Sequence, residues 1–341
     1  MSLPEPILLG DTPLGPPVFL APMAGITDLP FRRAVARHGG AGLMVSEMVA
    51  STEMVTPRPS TRMAVRAKAM TEGVLPVSVQ IAGREAGAMA ETARIVAGMG
   101  ARIIDINMGC PAKKVTGGLS GAALMRDLDH ALELVEAVVG AVPDLPVTLK
   151  MRLGWDEDCL NAPELAARAA AAGVRMLTVH GRTRAQFYTG RADWSRIRKV
   201  ANLSGRPPLV ANGDVVDAAS ARLALEQSGA DAVMVGRGAQ GAPWKLAQIA
   251  HDLWGTPAPL IPQGVALADA VAEHYEDILS LYGAELGLRV ARKHLGWYAE
   301  ANGAPNRAEL LRALSPDAAL AAIRAGFSDA RTSEPYAEAP E

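Results

Sequence analysis

Asn107-Met108-Gly109-Cys110-Pro111 puts a carboxamide, a thiol and two turn-forming residues within one short segment. A thiol can attack an electrophile, ligate a metal or deliver a proton. By itself it serves equally well as a small buried hydrophobe, since free cysteine is among the most buried residue types. Other segments carry complementary groups: Lys150 in Leu149-Lys150-Met151-Arg152 and His180 in Val179-His180-Gly181-Arg182. Gln80, Asn107 and Asn212 add carboxamides that both donate and accept hydrogen bonds. A lysine, an imidazole, a thiol and amides in one place could bind an anion and move a proton. Singly, Lys150 reads as a solvated chain end and His180 as a structural histidine.

The elements around these residues bring them together. Ile103–Ile106 is a short β-branched run that stops at Asn107, as a buried strand would. Seven further runs have the same form: Val18–Met23, Gly42–Met48, Val77–Ala82, Pro146–Arg152, Met176–Gly181, Pro208–Asp214 and Ala232–Gly238. Continuous apolar runs suit strands covered on both faces, as in parallel sheets. Helix-like stretches separate most of them, among them Arg84–Met99, Asp127–Val142, Ala162–Ala172 and Val215–Gln227. Eight βα units in about 240 residues predict an α/β fold, a (β/α)8 TIM barrel. A doubly wound open sheet is the alternative, but no Gly-x-Gly-x-x-Gly lies between a strand and a helix.

In a barrel the strand ends share one rim. They would present Pro22, Met23 and Ala24 from the first strand, then Gln80, Asn107 with Cys110, Lys150 with Arg152, His180 with Arg182, Asn212-Gly213-Asp214, and Gly236-Arg237-Gly238. Glycine-rich ends on the last two strands form the usual phosphate site of such barrels, and Arg237 would add charge-assisted hydrogen bonds. Lys150 and His180 would face a ring that becomes anionic on reduction, and Gln80 could meet its edge. The pattern suits FMN, and a sugar-phosphate substrate nearly as well.

At these residues the chain resembles the tRNA-dihydrouridine synthases, specifically the bacterial B-type branch. The resemblance is carried by Ala21-Pro22-Met23-Ala24-Gly25-Ile26-Thr27-Asp28, Ser46-Glu47-Met48, Val79-Gln80-Ile81, Asp105-Ile106-Asn107-Met108-Gly109-Cys110-Pro111, Gly121-Ala122-Ala123-Leu124-Met125, Lys150-Met151-Arg152, His180-Gly181-Arg182-Thr183-Arg184, Ala192-Asp193-Trp194, Asn212-Gly213-Asp214 and Gly236-Arg237-Gly238, in unbroken order. It departs at Val115–Ser120, which is glycine-rich where some relatives carry a more basic loop.

The resemblance implies an FMN enzyme that takes electrons from NADPH and reduces uridine in tRNA to 5,6-dihydrouridine. Hydride would reach C6, and Cys110 would protonate C5. It further implies that Lys150 and His180 sit at the flavin ring and Gln80 at its edge, with Asn107 touching flavin and uracil. Pro22, Met23 and Ala24 would pack behind the ring, Gly213, Asp214, Gly236 and Arg237 would hold the phosphate end, and Asn212 would also bind the cofactor. A free-molecule flavoenzyme of the dihydroorotate dehydrogenase kind is the rival enzyme reading. A barrel that only binds RNA or a regulatory partner is the rival outside catalysis.

After Pro257–Pro262 the apolar period turns helical, with Leu267, Val271, Tyr275, Ile278 and Tyr282 on one face. Further helices are expected over Leu286–Ala301, after Asn306, and from Ser315 as N-cap with Pro316 at the first position and Leu320, Ile323 and Phe327 inward. The expected division is a barrel over 1–255, a small C-terminal helical bundle over 256–327 and a disordered tail over 328–341. Arg289, Arg292 and Lys293 lie near Trp297 and Tyr298, a composition that could hold RNA or could be a solvated face over core aromatics. The resemblance favours tRNA there, with Lys113, Lys114, Arg182 and Arg184 as further contacts at the barrel mouth.

The 341 residues carry a net charge of −2, so any RNA contact must come from a local patch. Two cysteines without a disulfide pattern, no secretory leader and no long apolar run point to a cytoplasmic protein that binds no membrane. No Cys/His spacing suits zinc, so no metal is expected, and the chain is expected to act as a monomer.

Overall fold

In the computed structural model, which describes residues 5–55, 69–71 and 77–328, parallel strands close into a barrel. The strands are β1 (Ile7–Leu9), β2 (Thr12–Leu14), β3 (Val18–Leu20), β4 (Leu43–Val45), β5 (Val49–Ala50), β6 (Val77–Ala82), β7 (Ile103–Met108), β8 (Val147–Arg152), β9 (Met176–His180), β10 (Leu209–Asn212) and β11 (Ala232–Val235). Pairing runs β3–β4–β6–β7–β8–β9–β10–β11, and β11 returns to β3, every ladder parallel. This is the expected (β/α)8 barrel, with helices between its strands and after them.

Alternation along each strand sorts the residues. Outward positions such as Val79, Ile81, Ile104, Ile106, Leu149, Met151, Leu177 and Val179 pack with helix residues including Leu134, Val138, Leu165 and Ala221. Inward positions are apolar at the N-terminal end, where Phe19, Leu43, Ile103, Met176, Val210 and Ala232 form a separate cluster that continues upward through Val45 and Met234. Leu9 and Leu14 join that cluster. They come from the antiparallel β1–β2 hairpin, which plugs the bottom of the barrel and was not expected from the sequence. Toward the C-terminal end the interior turns polar, with Gln80, Asp105, Asn107, Thr148, Lys150, Thr178 and Asn212 all buried. The strands therefore do not bury apolar residues on both faces throughout.

Most strands end earlier than expected. β3 stops at Leu20 rather than Met23, β10 at Asn212 rather than Asp214, and β11 at Val235 rather than Gly238. The Gly42–Met48 run yields β4, with β5 as a separate short strand beside β6. The residues beyond leave the ladder to form loops at the mouth. The helix expected over Val215–Gln227 begins at Ala218, because Asp217 takes the N-cap and Ser220 closes a capping box.

Four helices follow the barrel: Val265–Tyr282, Ala284–Asn302, Arg307–Arg312 and Pro316–Phe327. Their core contains Leu267, Val271, Tyr275, Ile278, Leu295, Tyr298, Ile323 and Phe327, together with Trp244 from the barrel side. Ser315 caps the last helix with Pro316 in its first turn, as expected. Of the expected tail only Ser328 is described, as the C-cap of that helix. The remainder, 329–341, lies outside the described residues. Among the described residues no helix is long and apolar enough to cross a membrane, and no three His, Cys, Asp or Glu side chains group as a metal site.

The bundle docks on the helix Leu29–Arg37. Phe31 sits between His274 and His294, at centroid distances of 5.8 and 5.7 Å. Arg37 pairs with Glu273 at 2.8 Å and Asp277 at 2.7 Å, so acidic residues of the Val265–Tyr282 helix meet the barrel. Gly241, at φ +70°, lets the barrel backbone approach Trp297, and Asn302 Nδ2 donates to the Gly241 carbonyl at 3.0 Å.

Candidate active site

The thiol is set by a chain of hydrogen bonds that starts deep in the barrel. Asp105 and Asn107 alternate on the inner face of β7 with the apolar outward residues. Asp105 accepts from Thr148 Oγ1 and from Gln80 Nε2, each at 2.6 Å. Gln80 Oε1 accepts from Asn107 Nδ2 at 2.7 Å. Asn107 Oδ1 then accepts the backbone N–H groups of Gly109 at 3.1 Å and Cys110 at 2.9 Å, an Asx turn that aims the residue after the strand. Gly121, at φ +60°, lies where a Cβ would press on Cys110, and Ala122 N donates to the Cys110 carbonyl at 3.0 Å. Cys110 is half-buried at this turn, and burial raises the pKa of the Asp105 carboxyl at the chain's far end.

On the next strands Lys150 Nζ donates to Asn212 Oδ1 at 2.9 Å, and Asn212 Nδ2 to the Met234 carbonyl at 2.9 Å. Burial, aided by Arg152, lowers the Lys150 pKa to about 8, against the pull of Asp105 and Cys110. Burial also holds the His180 pKa well below its usual value, with Lys150, Arg152, Arg182 and Arg237 adding to the shift. Arg182 Nη1 lies 3.3 Å from His180 Nε2. A guanidinium only donates, so Nε2 is the acceptor and Nδ1 carries the proton of a neutral ring.

The last two strand ends lie alongside. Gly213 has φ +107°, and a Cβ there would meet His180 Cδ2 at 2.8 Å. Its carbonyl accepts from Trp194 Nε1 at 2.9 Å. Asp214, itself at φ +52°, turns its carboxylate away from any phosphate role. That carboxylate takes two bonds from Arg182, at 3.0 and 2.6 Å, one from Ala192 N at 2.8 Å and one from Arg237 at 3.3 Å. Only its backbone is left for an anion. Arg237 remains 58% exposed. At Gly236 a Cβ would find nothing nearer than Ala21 Cβ and Met23 Sδ at 3.7 Å. Pro22 and Met23 are half-buried and Ala24 is exposed in the loop after β3. The donors thus fit a flavin mononucleotide: Lys150 and His180 where the ring would lie, and Gly213, Gly236 and Arg237 where its phosphate would.

The residues expected to touch RNA divide. Lys113 and Lys114 are exposed just past Cys110, and Arg289 is exposed with Glu285 at 3.4 Å. Arg182 is 2% exposed and committed to Asp214 and to the Thr189 and Gly190 carbonyls, which leaves no open phosphate contact. Arg184 stacks on Trp155, 4.6 Å from the ring centroid, with Arg126 also over that ring at 5.0 Å. Arg292 is half-buried. Lys293 donates to the Gly25 carbonyl, while the Gly25 N–H donates to the buried Glu47, so one bundle lysine reaches the loop after β3. Tyr298 is a core residue that bonds His274 Nδ1 at 3.1 Å, and the aromatic half of that RNA expectation falls on the partly buried Trp297 alone.

Asp105 and Glu47 carry no role in the sequence expectations, and Arg152 stands there only as a rim residue beside Lys150. Arg152 Nε donates to the Gly109 carbonyl at 2.8 Å, and its Nη1 to the Thr183 and Phe187 carbonyls, each at 2.8 Å. Strand alternation was the signal for Asp105 and Arg152, which share the inner face with Asn107 and Lys150.

A family model described as dihydrouridine synthase matches residues 19–330. A Rhodobacter capsulatus protein named "Probable tRNA-dihydrouridine synthase" is 69% identical over 95% of this chain and 98% of its own. The Xanthomonas campestris "tRNA-dihydrouridine synthase B" is 45% identical over 94% of this chain and 95% of its own. Among solved structures, morphinone reductase superposes with a TM-score of 0.55 at 15% identity, covering 78% of this chain and 94% of that one. The old yellow enzyme homologue from Zymomonas mobilis gives 0.52 at 15%, over 71% and 90%. These two share the barrel. The family match spans both the barrel and the bundle, and the chain belongs to the dihydrouridine synthase family.

Proposed function

We propose that this protein reduces a uridine of tRNA to 5,6-dihydrouridine, with FMN as its flavin and NADPH as the source of electrons. The observation that carries the reading is the Asn107 turn, which fixes Cys110 on the same rim as Lys150 and His180. The names of the relatives agree with it.

Bound FMN would supply the hydride for C6 of the uracil. The chain's own residues do the rest. Lys150, cationic below about pH 8, would offset negative charge on the flavin side. Neutral His180 would donate from Nδ1. Gly213, Gly236 and Arg237 would bind the phosphate, and Asp214 acts by holding Arg237 and Arg182 in place. Hydride addition leaves an enolate, and Cys110 would protonate C5 from the opposite face. The Oδ1 of Asn107 is fully used by the turn, and one Nδ2 hydrogen faces only Met48 Sδ at 3.8 Å, so that hydrogen is the one available to a ligand. Lys113, Lys114, Arg184 and Arg289 would take tRNA phosphates, and Arg292 and Lys293 would act from the bundle seam.

The test is direct. The purified protein should be yellow and release FMN on denaturation. It should oxidise NADPH, and it should form dihydrouridine in unmodified tRNA but none from free uracil or orotate. Release of FAD, or reduction of orotate in preference to tRNA, would overturn the reading.

A further inference from the structure

The loop after β9 carries two exposed aromatic rings at the mouth of the barrel. Phe187 is 43% exposed and Tyr188 is 48% exposed, in edge contact at a centroid distance of 4.8 Å. A single exposed aromatic is ordinary. This pair is not explained that way, for three reasons.

Phe187 sits at φ +55°, a left-handed conformation that a bulky side chain rarely adopts. The surroundings enforce it. Phe187 N donates to the Arg184 carbonyl at 3.0 Å, and its own carbonyl accepts from Arg152 at 2.8 Å. Gln186 Oε1 accepts from Thr183 N at 2.7 Å and closes the preceding turn. Glycine or asparagine would hold this turn with less strain, so the ring itself is what the strained position presents.

Second, the loop is tied to the reaction centre. The guanidinium that holds the Phe187 carbonyl also holds the Gly109 carbonyl, next to Cys110. Third, the surroundings are cationic. Arg152 and Arg237 lie over the Tyr188 ring at 5.6 and 5.3 Å from its centroid, Arg184 flanks the turn, and Lys113 and Lys114 are exposed after Cys110. An apolar ring amid cations fits a partner that is anionic along its length and flat in its units. Single-stranded nucleic acid has that chemistry, since aromatic rings stack on bases while arginines and lysines take the phosphates.

We propose that Phe187 is a stacking platform for the nucleobase next to the uridine that enters the pocket, with Tyr188 bracing its edge. The proposal rests on the tRNA reading above and adds a subsite to it. The platform keeps the strand unstacked beside the target, as a base drawn out of its stack requires. Phe187 touches neither flavin nor the reacting base, so its contribution lies in substrate affinity.

The experiment compares the wild type with Phe187→Asn and Phe187→Trp. Asparagine keeps the left-handed turn without a ring. Tryptophan keeps a ring. Each is titrated with full-length unmodified tRNA by direct binding, and KM and kcat for dihydrouridine formation are measured beside circular dichroism and thermal midpoint. Stacking is worth about 1–3 kcal/mol per base, so the asparagine variant should lose about 5- to 150-fold in affinity, and tryptophan should restore most of it. A tRNA lacking the base on one side of the target uridine should reproduce the loss with wild type. It should cost the asparagine variant little more. Wild-type affinity in the asparagine variant, a loss confined to kcat, or an asparagine penalty equally large on both abasic tRNAs would each overturn the platform. Dihydrouridine formation by the wild type reports separately on the activity, because the affinity ratios are read whether or not turnover occurs.

Discussion

At Cys110 the proposed chemistry is the delivery of one proton. The turn that presents it is built by Asn107, and the flavin contacts proposed above fall on other residues, so Cys110→Ala should leave flavin binding and NADPH oxidation intact. Dihydrouridine formation should fall by about 10²–10⁴-fold, the usual contribution of a general acid. Cys159→Ala should change little, because the Cys159 thiol turns to the Met125 carbonyl at 3.7 Å and takes no part in the hydrogen-bond chain through Asn107. Equal losses in the two variants, read by dihydrouridine yield per flavin, would refute the role. The chemical residues were legible because each interrupts an apolar run at a strand end. Asp105 was not, because inside Ile-Ile-Asp-Ile it looks like a lapse in a hydrophobic strand, and only the inward pleat shows that it anchors Gln80 and, through it, Asn107. Arg182 was misread for the reverse reason: an arginine in a loop looks solvated until Asp214 is found against it.

Among the elements, the strand-ending glycine at 213 is the most exacting. Gly213→Ala would carry both the φ +107° strain and a Cβ at 2.8 Å from His180, so it should cost about 1–3 kcal/mol and displace the imidazole. A lower thermal midpoint together with poor retention of flavin on gel filtration is the expected outcome. The helix junction makes a second prediction. His274 is held at a pKa of about 3 and His294 well below its usual value, both mainly by burial, and the Nε2 of each has no partner among the described residues. The unfolded chain therefore binds more protons than the folded one between about pH 3 and pH 6.5, and this contribution to stability is lost as pH falls through that window. Asp28 opposes it. Burial raises its pKa from 3.8 to about 6 against the pull of the Tyr282 hydroxyl, which donates to it at 2.9 Å, so the folded state holds protons between those values that the unfolded chain has lost. Asp28→Asn should then make the acid loss of thermal midpoint steeper, and His294→Phe should make it shallower. A midpoint unchanged between pH 6.5 and 4.5 in both variants would contradict this balance. Barrel order and helix existence were readable from period and punctuation. Strand ends were overrun because Pro22, Gly213, Asp214 and Gly236, poor strand formers, were counted with the apolar runs that they terminate.

The whole molecule is a barrel with a bundle clasped to the Leu29–Arg37 helix, and the clasp was invisible in sequence. Glu273 and Asp277 have no partner in sequence near them, yet they pair with Arg37 across the junction. Lys293 likewise leaves the presumed RNA face to hold Gly25. Such contacts depend on rigid-body placement, which no local pattern encodes. They also split the RNA prediction. Arg289→Ala should weaken tRNA binding and flatten the dependence of log affinity on log salt by about one unit, leaving the thermal midpoint alone. Lys293→Ala should lower the midpoint as well, and binding titrations from low to moderate salt with a melt of each variant separate the two. The path of the electrons distinguishes this enzyme from its rivals. Protein reduced by NADPH without oxygen, mixed in a single turnover with unmodified tRNA, should reoxidise its flavin and yield one dihydrouridine per flavin, while Cys110→Ala reduces equally fast but yields almost none. Reoxidation by free uridine as fast as by tRNA, or full dihydrouridine yield without the thiol, would contradict it.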